Sequence, residues 1–314
     1  MATDLAAVAQ LIKEHYETPF TEAMNRSLSM YNFFPRKAGV ADSVAWKVHY
    51  PGSGGSNATS YSESDALTAT DKQFYLAASR PFKMNYVGIE VTRFAQAATA
   101  GAGGFMEALA NDAREALENF KDKLNTQLLS ASAPGNSGKD IDGFAYIIND
   151  KASSGGVNVY AGIDRSTYSF WESYVQRNGG TGRPLTLALL QNVVKEMAKP
   201  SRSGAKINRI LSSYKHWFDY GNMLDDQRRW VDTKSLDWGF SSISYNGIEW
   251  IAVPDLADGA VYALDTRDWA YYILQNFETS PQAVNTDADR FVVTHYSQLI
   301  CKHPGRQAKI VDLS

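Results

Sequence analysis

The chain has one cysteine, Cys301, in 314 residues, so it cannot form an intramolecular disulfide. Neither charge is in excess: 31 Lys and Arg stand against 34 Asp and Glu, a net −3. That balance argues against tight coating of nucleic acid or of an anionic membrane. No apolar run reaches the length of a membrane span, and the N-terminus carries no hydrophobic signal segment. Together these absences fit a protein made in the cytoplasm.

Motifs of chemistry are equally scarce. The run Gly101 to Gly104 lacks the Lys-Ser/Thr of a phosphate-binding loop and reads as a hinge. His15, His49, His216, His295 and His303 have no metal-ligand spacing with another His, Cys or carboxylate. Asn285, Asp287 and Asp289 start like a calcium loop, but Arg290 replaces its glycine and Tyr296 its final glutamate. No nucleophile elbow and no local cysteine-protease signature occurs. The sequence therefore predicts no enzymatic activity and no cofactor.

What the chain does have is a long amphipathic stretch. From Phe105 to Ser130 there is no Pro or Gly, and apolar residues recur at Phe105, Leu109, Ala113, Ala116, Leu117, Phe120, Leu124 and Leu128. This is the spacing of one helix face. At 1.5 Å per residue the helix would run roughly 39 Å. Two shorter helical pieces, Leu5 to Tyr16 and Phe20 to Tyr31, precede it and end before Pro35. A further amphipathic helix is predicted over Leu185 to Lys199, with Thr186 as N-cap and Pro200 as stop.

Strand patterns fill the rest. Trp46 to Tyr50 and Phe74 to Ala77 alternate and flank Gly52 to Thr70, a polar stretch with little to bury. The two strands and this tip make a long hairpin. Phe82, Met84 and Tyr86 alternate on one phase and Val87, Ile89 and Val91 on the other, so a bulge is expected beside Gly88. Ala133 to Lys139 reads as a loop; Ala145 to Ile148, Val157 to Tyr160 and Lys206 to Tyr214 read as strands. Phe291 to Lys302 and Gln307 to Asp312 are expected to pair around Pro304-Gly305. Ile243 to Tyr245 and Ile248 to Trp250 flank Asn246-Gly247, the signature of a type I′ hairpin. Lys195 to Lys215 holds six basic residues (Lys195, Lys199, Arg202, Lys206, Arg209 and Lys215) and one acid, Glu196. This segment is either a solvated face or a match for an acidic patch on a partner.

The order of these parts resembles a tailed-phage major capsid protein of the Hong Kong 97-type fold, an α+β architecture. The most specific pieces are Tyr245 to Pro254 (YNGIEWIAVP) and Gln298 to Ile310 (QLICKHPGRQAKI). The resemblance implies an N-terminal arm over 1–39, an extended loop over 40–79 and a peripheral domain over 80–132 whose spine helix is 105–130. It further implies a mainly axial domain over 133–280 and closing strands over 281–314. It implies pentamers and hexamers of this chain, closed into an icosahedral shell around double-stranded DNA that the wall touches weakly at most. A portal and decoration proteins would be further partners. Because the N-arm starts at the first residues, scaffolding would come from a separate protein. Candidate intersubunit contacts are Tyr61, Leu67 and Lys72 on the loop, Glu115 and Glu118 on the spine helix, and Lys206 and Arg209 in the basic segment. In the cross-linking member, a loop lysine joins an asparagine beside a glutamate. Those two positions fall here at Asp287 and Thr294, which cannot serve, so no cross-link is expected even though Lys72 is at hand. The alternatives are an encapsulin-like nanocompartment shell and an aromatic-rich carbohydrate-binding or carbohydrate-active protein.

The Asn246-Gly247 turn is directly testable. Gly247→Val puts a β-branched side chain where positive φ is needed. A clear drop in melting temperature is expected, and an unchanged melting temperature would refute the turn.

Overall fold

A computed structural model describes residues 30–49, 60, 62–65, 75–94, 104–152, 158–199, 202, 204–225, 242–283 and 287–314. The predicted helices ahead of residue 30 and most of the polar hairpin tip lie outside these residues. So does nearly all of the 100–104 hinge.

The long helix forms as its spacing requires, over Gly104–Leu129. We call it α2, after a short α1 at Met30–Phe33. Ala113, Phe120, Leu124 and Leu128 make its buried stripe, while Arg114, Glu115 and Glu118 face solvent. The stripe packs on a four-stranded sheet of β1 (Arg36–Ala38), β12 (Trp269–Gln282), β13 (Ala288–Cys301) and β4 (Lys83–Thr92), in that order. β1 runs parallel to β12, and the other pairs are antiparallel. At its C-terminal end α2 meets Gly143, which leads into a third helix, α3, at Phe144–Ile147.

A second sheet has six strands. Its order is β7 (Tyr174–Gln176), β14 (Ala308–Ile310), β11 (Val261–Leu264), β8 (Arg209–Ser212), β10 (Ile248–Ala252) and β9 (Ser242–Tyr245). Both of its faces are covered. Leu211, Ile251, Tyr262 and Leu264 join the core that also holds Phe144, Trp269 and the α2 stripe. Their neighbours Ile210, Trp250, Val261 and Ala263 join a second core under α4 (Leu187–Met197) and α5 (Tyr214–Asp225). A strand buried on both faces reads as an unbroken apolar run, which is why Val261–Leu264 shows no alternation. Two hairpins complete the chain: β2 (Ser43–His49) with β3 (Tyr75–Pro81), and β5 (Val159–Tyr160) with β6 (Ile163–Asp164).

Several expectations are met closely. Asn246 and Gly247 have φ of 50° and 79°, as a type I′ turn needs. Thr186 stands at the N-cap of α4, although its side chain makes no capping bond. Others are corrected. No bulge occurs at Gly88: β4 pairs with β13 in continuous register from Lys83 to Thr92. Asn85, Ile89 and Val91 turn inward, while Met84 and Tyr86 lie on the open face, so the two apolar phases are two faces of one regular strand. The register shifts lie in β12 instead, between Ile273 and Glu278. Ala145–Ile148 belongs to helix α3 and its exit; every residue there is buried, so no periodicity could separate helix from strand. The Ala133–Lys139 loop holds a turn in which Asn136 and Ser137 adopt positive φ. Of the predicted 157–160 strand, Val159–Tyr160 pairs as a strand, and Val157 lies outside the described residues. Lys206–Tyr214 is extended over four residues only and runs into α5, which the sequence reading missed. β13 and β14 do not pair: a turn at Pro304–Arg306 passes the chain from one sheet to the other. That turn needs glycine, since a Cβ on Gly305 would lie 2.0 Å from the Phe170 carbonyl oxygen.

Gly143 is the tightest point on α2. A Cβ there would sit 2.2 Å from the Ser130 oxygen and 2.8 Å from that of Gln127, both backbone atoms. Gly143→Ala is therefore expected to destabilise the subunit by about 2 kcal/mol or more. Equilibrium denaturation measures this, and an unchanged midpoint would refute the close approach.

Candidate assembly surfaces

Two features lie outside what the cores consume. The first is the β2–β3 hairpin. Its strands pair from Ser43 opposite Pro81 to His49 opposite Tyr75, and residues 50–74 join them. Among the described residues its anchoring contacts lie at the root. Val48 and Ala78 enter the first core. The Trp46 indole donates to the Lys302 carbonyl at 3.2 Å. The Ser79 amide donates to the Ala161 carbonyl at 3.2 Å. Arg80 Nε lies 2.9 Å from the carboxylate of Asp142, which is fully buried. The same carboxylate accepts from Gln298 Nε2 at 2.7 Å. Burial raises the Asp142 pKa, against the pull of Arg80, Lys83 and Gln298. The Arg80 guanidinium also sits 5.2 Å from the centre of the Tyr160 ring, whose hydroxyl accepts from the Cys301 amide at 3.0 Å. Arginine suits this site because its planar group pairs with a carboxylate and stacks on an aromatic at once.

The second feature is the face of the four-stranded sheet opposite α2. Met84 and Tyr86 are each 70% exposed there. With Val292, Thr294, Tyr296 and Arg290 they line an open depression of about 620 Å³. Its floor includes Gly88, where an added Cβ would meet nothing within 4 Å. Arg290 Nε donates to Glu90 at 2.9 Å along the rim. Solvent-exposed apolar side chains gathered over a dent are the signature of a contact surface. The signal for this face in the sequence is the apolar phase of Met84 and Tyr86.

The candidate contact residues do not form one site. Glu115 and Glu118 are exposed on α2, and Lys206 is exposed ahead of β8. Arg209 is half-buried and ion-paired with Glu249 of its own chain, so it is not available as Lys206 is. Tyr61, Leu67 and Lys72 lie outside the described residues. Asp287 pairs with Arg93 at 3.4 Å, and the Thr294 hydroxyl accepts from Gln275 at 3.1 Å. Of the basic segment, Arg202 donates to the Glu172 carbonyl and Lys199 pairs with Glu196 at 2.5 Å. Among the described residues no group of three His, Cys, Asp or Glu could hold a metal ion. None of their helices is long and apolar enough to cross a membrane.

Comparison with known proteins fits this arrangement. The capsid of cyanophage A-1(L) superposes with a TM-score of 0.67 at 18% identity, covering 95% of this chain and 93% of that one. The capsid of a native GTA particle gives 0.59 at 13%, covering 91% and 90%. The SrpI encapsulin of Synechococcus elongatus PCC 7942 gives 0.58 at 12%, covering 91% and 87%. No curated protein matches the sequence. The architecture is thus that of the Hong Kong 97-type shell proteins. The pattern of the SU10 major capsid protein family matches residues 84–314, and the chain belongs to that family. It is a major capsid protein of a bacteriophage head, with its place in the virion. The encapsulin likeness is one of fold.

The open face can be tested apart from folding. Met84→Glu with Tyr86→Glu removes exposed apolar surface and no core contact, so stability should move by no more than about 1 kcal/mol. Closed shells should be lost in electron micrographs. Normal shells from the double variant would show that this face is not an interface.

Proposed function

We propose that the β2–β3 hairpin of one subunit docks on a neighbouring subunit and so clamps the head shell together. The observation that carries this is that, among the described residues, the hairpin is anchored at its root and the same chain has an exposed apolar sheet face around Met84 and Tyr86. Residues 52–70 have few large apolar side chains, chiefly Tyr61 and Leu67, and could bury little within their own subunit. Ordering them costs roughly 1 to 2 kcal/mol per residue of backbone, which contacts on a neighbour would offset. On this reading residues 1–39 are the N-terminal arm and 40–79 the extended loop. Residues 80–132, with β12 and β13, are the peripheral domain, and the six-stranded sheet with α4 and α5 is the axial domain. Tyr61, Leu67 and Lys72 would reach the neighbour's sheet face and the Glu115–Glu118 side of its α2. Lys206 would meet an acidic patch near the capsomer axis.

Pentamers and hexamers of the chain form the wall, assembled in the host cytoplasm. A separate scaffolding protein, a portal and decoration proteins act with it. A slightly acidic wall suits a container, since tight grip on phosphates would hinder filling and release. The protein works by geometry and turns over no substrate. DNA cargo distinguishes this role from an encapsulin-like one, where the cargo is an enzyme.

Replacing Ser53 to Ala69 by a short Gly-Ser turn should leave a folded subunit or capsomer that closes no shells. Circular dichroism and electron microscopy on one preparation test this. Normal particles would remove the hairpin as clamp, and failure to fold would assign it to the subunit's own core.

A further inference from the structure

A line of polar side chains crosses the apolar layer between α2 and the four-stranded sheet. Gln127 on α2 donates from Nε2 to Asn85 Oδ1 on β4 and to Asp140, each at 3.0 Å, and accepts from the Ile141 amide at 3.3 Å. Asn85 stands directly opposite His295 in the β4–β13 register. His295 Nε2 is 3.2 Å from the Tyr271 hydroxyl, which is 2.6 Å from Ser297 Oγ. His295, Ser297 and Tyr271 are fully buried.

Aromatic rings close the site. Phe277 stacks on His295 at 4.3 Å and meets Phe120 of α2 edge-on at 5.7 Å. Tyr31 of α1 lies edge-on to His295 at 6.0 Å and to Tyr271 at 5.2 Å. The Arg36 guanidinium sits 4.4 Å from the centre of the Tyr31 ring. Two buried nitrogens have no hydrogen-bond partner: Asn85 Nδ2, a donor, and His295 Nδ1.

We propose that His295 is a proton-operated latch that holds the N-terminal segment, through Tyr31 and Tyr271, against the sheet and the long helix of the shell subunit. In the neutral ring Nε2–H donates to the Tyr271 oxygen, and Nδ1 is an acceptor, the complement of the donor that Asn85 leaves unused. Protonation makes Nδ1 a second buried donor without an acceptor, beside the donor that Asn85 already leaves unpaired. Flipping the Asn85 amide gives no relief, because its oxygen already serves Gln127. Among the described residues the ionisable groups that face the ring are Arg36, Tyr31 and Tyr271; Asp140 stands at the far end of the line, bonded to Gln127. The charged group by the ring is thus a cation, which opposes a second one.

Burial first, and Arg36 second, pull the His295 pKa down to about 4. A folded value below the ordinary 6.5 means that the released form binds the proton more readily. The latch is therefore fully closed above about pH 6.5, weakens as pH falls towards 4, and loses nothing further below that. The N-terminal segment is the part that yields. β12 and β13 are 14-residue strands that pair from Trp269 to Gln282 with two register shifts, whereas α1 has only four residues, three of them buried, and the three residues of β1 are all exposed. This device goes beyond the clamp reading and does not depend on it, since it operates within one subunit.

The test is hydrogen exchange at residues 30–38 of the full chain between pH 7 and 4, corrected for the intrinsic pH dependence of exchange. The parent should lose protection there by up to about tenfold per pH unit inside the window, with β12 and β13 unchanged. His295→Phe keeps the stacking on Phe277 but cannot take a proton, and should hold its protection. His295→Gln, also unable to titrate, serves if the Phe variant fails to fold. Flat protection in the parent, or equal loss in the variants, overturns the proposal. Electron microscopy of the same samples reports shell closure separately.

Discussion

The subunit is organised by the long antiparallel pairing of β12 with β13. It runs from Trp269 opposite Cys301 to Gln282 opposite Arg290. One end is deep in the first core, where Trp269, Tyr271, Leu299 and Cys301 are all buried. The other end emerges as a ribbon whose inward face meets α2 through Phe277 and Phe120 and whose outer face is open among the described residues. A helix packs on only one face of a sheet, so the opposite face is left to water or to another molecule. The axial-side sheet is the contrast. α4 and α5 cover one face and the first core the other, and its central strands can be apolar throughout.

Legibility followed this difference. α2 was readable because one face is buried and one is wet, which imposes a 3.6-residue period. The Asn246-Gly247 turn was readable because its φ values admit few residues. Strand β11 and helix α3 were poorly readable, because burial on all sides erases the alternation that marks an element; β8 and β14 were legible as strands, though not in their exact extent or partners. β12 was missed for another reason: its outward residues are polar, its inward run shifts register near Gln275, and Pro281 interrupts the pattern. Met84 and Tyr86 misled because both faces of β4 carry apolar side chains, and an exposed alternation looks the same in sequence as a buried one.

The hairpin root shows a similar division of labour. Asp142 is a buried carboxylate with one strong cationic neighbour, and one of its oxygens has no hydrogen-bond partner. Such a pair adds little net stability compared with apolar packing, because removing both charges from water is costly. What it does supply is direction. The guanidinium must lie against both the carboxylate and the Tyr160 ring, and this fixes the angle at which β3 leaves the core. The rest of the hairpin has no comparable constraint among the described residues.

Weak contacts are enough for a shell on these terms. Covering Met84 and Tyr86 would yield about 1.5 to 3 kcal/mol for each side chain, less the cost of ordering the segment that covers them. One such contact would not hold two free subunits together at low concentration. Under the proposed clamp every subunit of a closed shell would both give a hairpin and receive one, and the second and later contacts would be intramolecular. A stronger patch would be a hazard, since misplaced subunits could no longer dissociate and an exposed apolar surface would aggregate before assembly. A modest apolar dent centred on Gly88, framed by the Glu90–Arg290 pair, is therefore better suited to reversible, ordered closure than a larger greasy face would be.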